Sequence, residues 1–156
     1  MRPDHRNLQT RISKFIEGCR DRGLALTHQR MAIYRALART DEHPTADAIY
    51  RRVHVRYPTI SLATVYKTLE TLQKAGLVSK YAFFSEAARY DANLAPHHHR
   101  LCVKCGRVED FYDPSLDRLP SLVGAPKRFE VLDCQVQVNG LCPRCRRPRR
   151  RRLRGG

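Results

Sequence analysis

Cysteines at 102 and 105 in HHHRLCVKCG and at 142 and 145 in GLCPRC form two C-x-x-C pairs. Four thiolates in two close pairs can close a tetrahedral shell around Zn²⁺, and such a site contributes directly to folding. His97, His98 and His99 immediately precede the first pair. A closed four-cysteine shell leaves no position for an imidazole, so these histidines point to a second metal site of different chemistry. Six cysteines could instead form disulfides, but the N-terminal stretch MRPDHRNLQTRISKF lacks the apolar core of a secretory signal. In a reducing compartment paired cysteines more often bind metal. Cys19 and Cys134 fall outside the pairs and read as small buried apolar residues.

The elements that must position these groups change character along the chain. Residues 8–80 read as four helices. LQTRISKFIEGCRDRG has Leu8, Ile12, Phe15, Ile16 and Cys19 at three- and four-residue spacing and ends at Gly23. Thr27, Thr45 and Ser61 stand where N-caps of the next three helices belong, and Gly76 is placed to end the fourth. A short turn, RYPTI, joins the third to the fourth, SLATVYKTLETLQKAG, whose polar residues cluster near its start. That is the helix-turn-helix pattern. LVSKYAFF and AARYDA, with Ser85–Glu86 as the turn, read as a two-stranded wing. From residue 97 short strands are expected in HHRLCV and RVEDFY, a helix in PSLDRLPSLVG, and a strand in KRFEVLDCQVQV. The expected fold class is α+β. Its parts are a winged helix over 1–91, a hinge at 92–96, a small α/β domain with the four-cysteine zinc site over 97–145, and a basic disordered tail over 146–156.

The formal net charge is +15 and stays at +8 without the seven arginines of the tail. A polyanion such as double-stranded DNA is the natural partner. The arginine run itself reads no bases and adds salt-sensitive attraction. No apolar run reaches the length of a membrane span, so a cytoplasmic protein without a membrane partner is expected.

HPTADAIY, ISLATVYKTLETL, GLV, HHHRLCVKCGRVEDF and GLCPRC occur in that order. Over roughly residues 10–145 the chain resembles the ferric uptake regulator family of bacterial transcription factors. The resemblance implies a homodimeric, metal-responsive repressor with an N-terminal winged helix and a C-terminal dimerisation domain. It implies structural zinc on Cys102, Cys105, Cys142 and Cys145. It implies a regulatory metal on His43, Asp91, His97, His99 and Asp110. A third site found in some members matches poorly, because Pro96 and Cys134 stand where histidines often contribute. All five regulatory donors are nitrogen or oxygen, which suits Fe²⁺ or Mn²⁺. The zinc-responsive branch often has cysteine where Asp91 stands. The iron-responsive branch typically has glutamate at the places of Asp91 and Asp110. The peroxide-responsive branch typically has aspartate at both, as here, and its bound Fe²⁺ reacts with peroxide to oxidise a ligand histidine, matching His43 or His97.

The fourth helix is expected in the major groove of a palindromic operator. Ser61 and Thr64 suit phosphates, Tyr66 a thymine methyl, and Lys67 a guanine edge or a phosphate, with Thr68 alongside. Arg30, in a stretch resembling the family's T-x-Q-R, braces helices or touches phosphate. The leading expectation is a peroxide-sensing repressor, with iron or manganese homeostasis as the alternative. A zinc-ribbon nucleic-acid scaffold without sensing and a metal hydrolase are the readings from other classes. The second of these lacks any nucleophile or general-base motif.

Overall fold

The computed structural model describes residues 7–83, 87–123, 129–132 and 134–146. The chain divides into two compact units, Met1–Ala95 and Pro96–Gly156.

The first unit contains α1 (Leu8–Asp21), α2 (His28–Ala38), α3 (Ala46–His54) and α4 (Leu62–Lys74), then strands β1 (Ser79–Tyr81) and β2 (Arg89–Asp91). Caps set the helix starts. Asn7 Oδ1 accepts from the Gln9 and Thr10 amides, and the hydroxyls of Thr27, Thr45 and Ser61 accept from Arg30, Ala48 and Thr64. α1 and α4 end alike. Gly23 and Gly76 take φ of 63° and 66°, which lets Leu24 and Leu77 donate back to the carbonyls of Cys19 and Leu72 at 2.8 and 2.9 Å. Apolar stripes of all four helices meet in one core, with Cys19, Ile33, Ile49, Val65, Leu69 and Leu72 fully buried. Phe15 and Tyr34 stack at 3.7 Å and tie α1 to α2. The short turn after α3 is filled by Ile60, buried at the start of α4. β1 and β2 pair antiparallel, Ser79 opposite Asp91. The expected wing turn at Ser85–Glu86 lies outside the described residues.

The second unit is built on a three-stranded sheet in the order β4-β3-β5. β3 (His98–Cys102) pairs antiparallel with β4 (Val108–Phe111) and parallel with β5 (Gln137–Gly140). The strand expected over 127–138 is shorter than its alternation suggests: among the described residues pairing begins only near Val136. Its partner β3 starts at His98 because Pro96 has no N–H to extend the ladder. The helix expected in PSLDRLPSLVG is broken into a 3-10 turn (Leu116–Arg118) and α5 (Leu119–Val123). Pro120 cannot donate to a carbonyl one turn back, so it is tolerated only where a helix restarts. α6 (Pro143–Arg146) follows Cys142. The expected disordered tail lies outside the described residues except Arg146, which ends α6.

Candidate metal centres and nucleic-acid face

The four cysteines of the second unit converge. Cys102 ends β3, Cys105 sits in the β3–β4 turn, and Cys142 and Cys145 flank the start of α6. All four sulfurs lie within 4.8 Å of one another. Cys105 Sγ and Cys142 Sγ are 3.7 Å apart. A tetrahedral ion with Zn–S bonds near 2.3 Å needs sulfur–sulfur edges of about 3.8 Å, so the residues fit zinc. The Cys142 amide donates to Cys102 Sγ at 3.3 Å. Backbone amides of Cys142, Cys105 and Lys104 hold the Cys102 thiol down to about 6. Desolvation, then hydrogen bonds to the three neighbouring sulfurs, push Cys145 up to about 12. Four thiols this close cannot all ionise without a cation, and a dication supplies what the fourth thiolate needs.

At the other end of β3, His97 and His99 lie on one face. Their Nε2 atoms are 3.0 Å apart. Asp110, paired with His99 across the β3–β4 ladder, places Oδ1 3.7 Å from both. Both imidazoles are 2% exposed. Two donors at right angles on an ion with bonds near 2.1 Å sit about 3.0 Å apart, so this buried nitrogen–oxygen group fits a metal without sulfur ligands. His98 points the other way: its Nδ1 accepts the Val136 amide at 3.2 Å, and its Nε2 is 3.3 Å from Asp117 Oδ1. That arrangement pins the chain entering β5 to β3. Cys134 is half-buried rather than buried.

In the first unit His43 Nε2 lies 3.3 Å from Asp91 Oδ2, both side chains buried. His43 has φ 49°, the only non-glycine residue with positive φ among those described. Such a conformation costs about 1–3 kcal/mol and persists only where neighbours enforce it. β2 does so. Arg89 Nη1 donates to the His43 carbonyl at 3.2 Å, and the Tyr90 amide donates to that of Pro44 at 3.0 Å. The same strand ends in Asp91, whose Oδ1 accepts the Asn93 amide at 2.7 Å. One three-residue strand therefore sets both groups. Arg89 was not anticipated from sequence; nothing in its local pattern marks a contact 46 residues away.

On α4, Ser61 Oγ caps Thr64 at 3.1 Å and lies 2.9 Å from Thr64 Oγ1. Tyr66 and Lys67 are exposed, Thr64 and Thr68 half-buried, and Val65 is buried beneath them. Arg30 donates through Nη1 to the Ala25 carbonyl, a brace across the α1–α2 turn. Asp47, whose carboxylate accepts the Tyr66 hydroxyl at 2.9 Å, also escaped the sequence reading.

A family model described as the ferric uptake regulator family matches residues 21–139. The chain belongs to that family. It is similar to the peroxide-responsive repressor PerR of Staphylococcus epidermidis, at 34% identity over 86% of this chain and 90% of that protein. Among solved structures it resembles the ferric uptake regulator Fur of Helicobacter pylori (TM-score 0.74, 21% identity, 92% of this chain and 96% of that one). That likeness concerns the fold. It also resembles the ferric uptake regulator of Pseudomonas aeruginosa with manganese (TM-score 0.68, 27% identity, 80% of this chain and 95% of that one). The chain is accordingly a metal-dependent transcriptional regulator, not an enzyme. Regulators of this family bind DNA and act as dimers. No helix among the described residues is long and apolar enough to cross a membrane.

Proposed function

We propose that the chain is a cytoplasmic, peroxide-sensing repressor. As a homodimer it binds a palindromic operator while one regulatory Fe²⁺ or Mn²⁺ ion is held by His43, Asp91, His97, His99 and Asp110. The observation that carries the reading is the donor set: three buried imidazoles, with aspartate at both carboxylate places and no sulfur. Nitrogen and oxygen donors suit Fe²⁺ and Mn²⁺. The resemblance to a repressor named for peroxide response points the same way.

Each unit supplies an incomplete shell: two donors from the first and three from the second. An ion that needs all five favours one arrangement of the two units, and the population shifts towards it. Cys102, Cys105, Cys142 and Cys145 hold structural zinc and keep β3 in place. Ferrous iron held there would promote cleavage of the O–O bond of hydrogen peroxide, whose two-electron reduction balances oxidation of an imidazole ring. One peroxide oxygen would replace the hydrogen on a ring carbon of His43 or His97 and the other would leave as water; the oxidised ring loses basicity, no longer serves as a ligand, and DNA is released. Homodimer formation is supported by β5, exposed along its whole length at the sheet edge, with Val138 within it and Leu141 just after it standing out to solvent. On α4, Ser61 and Thr64 take phosphates, Tyr66 and Lys67 face bases, Thr68 lies alongside, and Arg30 holds the helices.

The test compares peroxide-driven release of DNA by iron- and manganese-loaded protein. Release with iron only, with one added oxygen mapped to His43 or His97, is expected. Release without modification of either histidine refutes peroxide sensing. Insensitivity of both forms returns the protein to iron or manganese homeostasis.

A further inference from the structure

Tyr66 stands in the second turn of α4 and is 47% exposed. An exposed tyrosine on a helix ordinarily samples several rotamers. Here the far end of the ring is tethered: the phenol O–H donates to Asp47 Oδ2 at 2.9 Å. Asp47 lies in the first turn of α3, directly behind the Thr45 cap, where the helix amides favour a negative charge. α3 and α4 share the buried residues Ile49, Val53, Val65 and Leu69, so the tether joins two rigid helices. The same bond raises the pKa of the phenol and keeps its proton in place.

Two consequences follow from the donor being committed. The phenol cannot donate to a phosphate without abandoning Asp47, and the adjacent carboxylate repels phosphate. What Tyr66 then presents outward is the apolar ring, which suits the 5-methyl group of thymine. We infer that Asp47 is a positioning residue for base readout, holding the Tyr66 ring against a thymine methyl and barring the phenol from the DNA backbone. This rests on the reading that α4 enters the major groove with Tyr66 at a base.

The experiment uses the full-length manganese-loaded protein and the tightest duplex selected from a random pool. Each thymine is replaced in turn by uracil, which removes only the methyl. For the wild type, at least one replacement should weaken binding about fourfold, the worth of one buried methyl. Asp47→Ala and Tyr66→Phe should each bring that ratio close to one. The double variant should lose no more than either single, because both cut the same tether. Asp47→Asn keeps an acceptor oxygen and should retain most of the discrimination. Tyr66→Phe needs no change in α3, so it carries the test even where Asp47→Ala loosens that helix's first turn. Wild-type discrimination kept intact in Asp47→Ala or in Tyr66→Phe overturns the inference. A wild type indifferent to every thymine methyl overturns the reading of Tyr66 at a base, and the inference with it.

Discussion

Removing zinc should unfold the second unit and leave the helices of the first. Among the described residues, the first unit buries twenty apolar side chains, from Ile12 to Ala92, whereas the second buries Leu101, Cys102 and Val108. Cys102 serves the zinc site, so at about 1.5–3 kcal/mol for each buried side chain Leu101 and Val108 amount to roughly 3–6 kcal/mol before any cost of ordering the chain. A structural zinc site contributes about 10–16 kcal/mol of apparent binding free energy at neutral pH. The metal therefore outweighs apolar burial in this unit. Cys142→Ser is the sharpest perturbation. It removes a sulfur 3.7 Å from Cys105 Sγ, on a residue whose amide also supports Cys102. Hydrogen exchange read by mass spectrometry separates the two units. Amides of β3, β4 and β5 should lose at least about a thousandfold in protection, while α2 and α4 change little. Wild-type protection of β3 in the zinc-free variant would refute the reasoning.

Two further outcomes follow from single side chains. Gly18→Ala places a Cβ 2.5 Å from Leu77 Cδ2 in the core. Overpacking of about 1–3 kcal/mol exceeds the gain of up to about 1 kcal/mol in helix propensity, so urea unfolding should show a net loss near 1 kcal/mol. In a Leu77→Ala background, which carries its own cavity cost, adding Gly18→Ala should cost less than it does in the wild type. Tyr34, buried against Phe15, has its phenol pushed up to about 12, mainly by burial. The unfolded state ionises near pH 10 and the native state two units higher. The stabilising effect is thus complete below pH 10, fades as pH rises towards 12, and amounts to about 2–3 kcal/mol. Tyr34→Phe should flatten this alkaline loss in urea melts at pH 8 and 11, at a cost of about 1 kcal/mol at pH 8.

What was legible in the chain was local or chemically loud. Thr27, Thr45 and Ser61 cap because a hydroxyl three residues before a free amide has one obvious partner. Gly23 and Gly76 end helices because few other residues accept their backbone angles. The cysteine pairs announced themselves by type and spacing. What escaped lies across long sequence separations. Arg89 reaches back 46 residues to hold His43, Asp47 holds Tyr66 from 19 residues away, and Val136 bonds His98 across 38. The overlong strand over 127–138 failed for a related reason. Alternation reports which face of a strand could be buried, but the length of a strand is set by the partner that accepts its amides, and β3 begins only at His98.

β3 also links the two kinds of metal chemistry. His97 stands just before it, His99 near its start and Cys102 at its end, and β4 fixes both ends: Asp110 pairs with His99, while the Arg107 carbonyl accepts the Cys102 amide at 2.8 Å. β5 does the same from the other side. His99 donates to Val136 and Val103 to Gly140, two residues before Cys142. An ion on His97, His99 and Asp110 thus tightens the ladder that carries three of the four thiolates. Coupling of this kind is reciprocal and typically worth about 1–3 kcal/mol, or about 5–150-fold. Manganese at saturation should therefore slow alkylation of Cys105 and Cys142 by iodoacetamide in the zinc-loaded protein by about fivefold or more. His99→Ala should abolish the protection while leaving the rate without manganese unchanged. Equal rates with and without manganese in the wild type would mean that the two sites, although built on one strand, open independently.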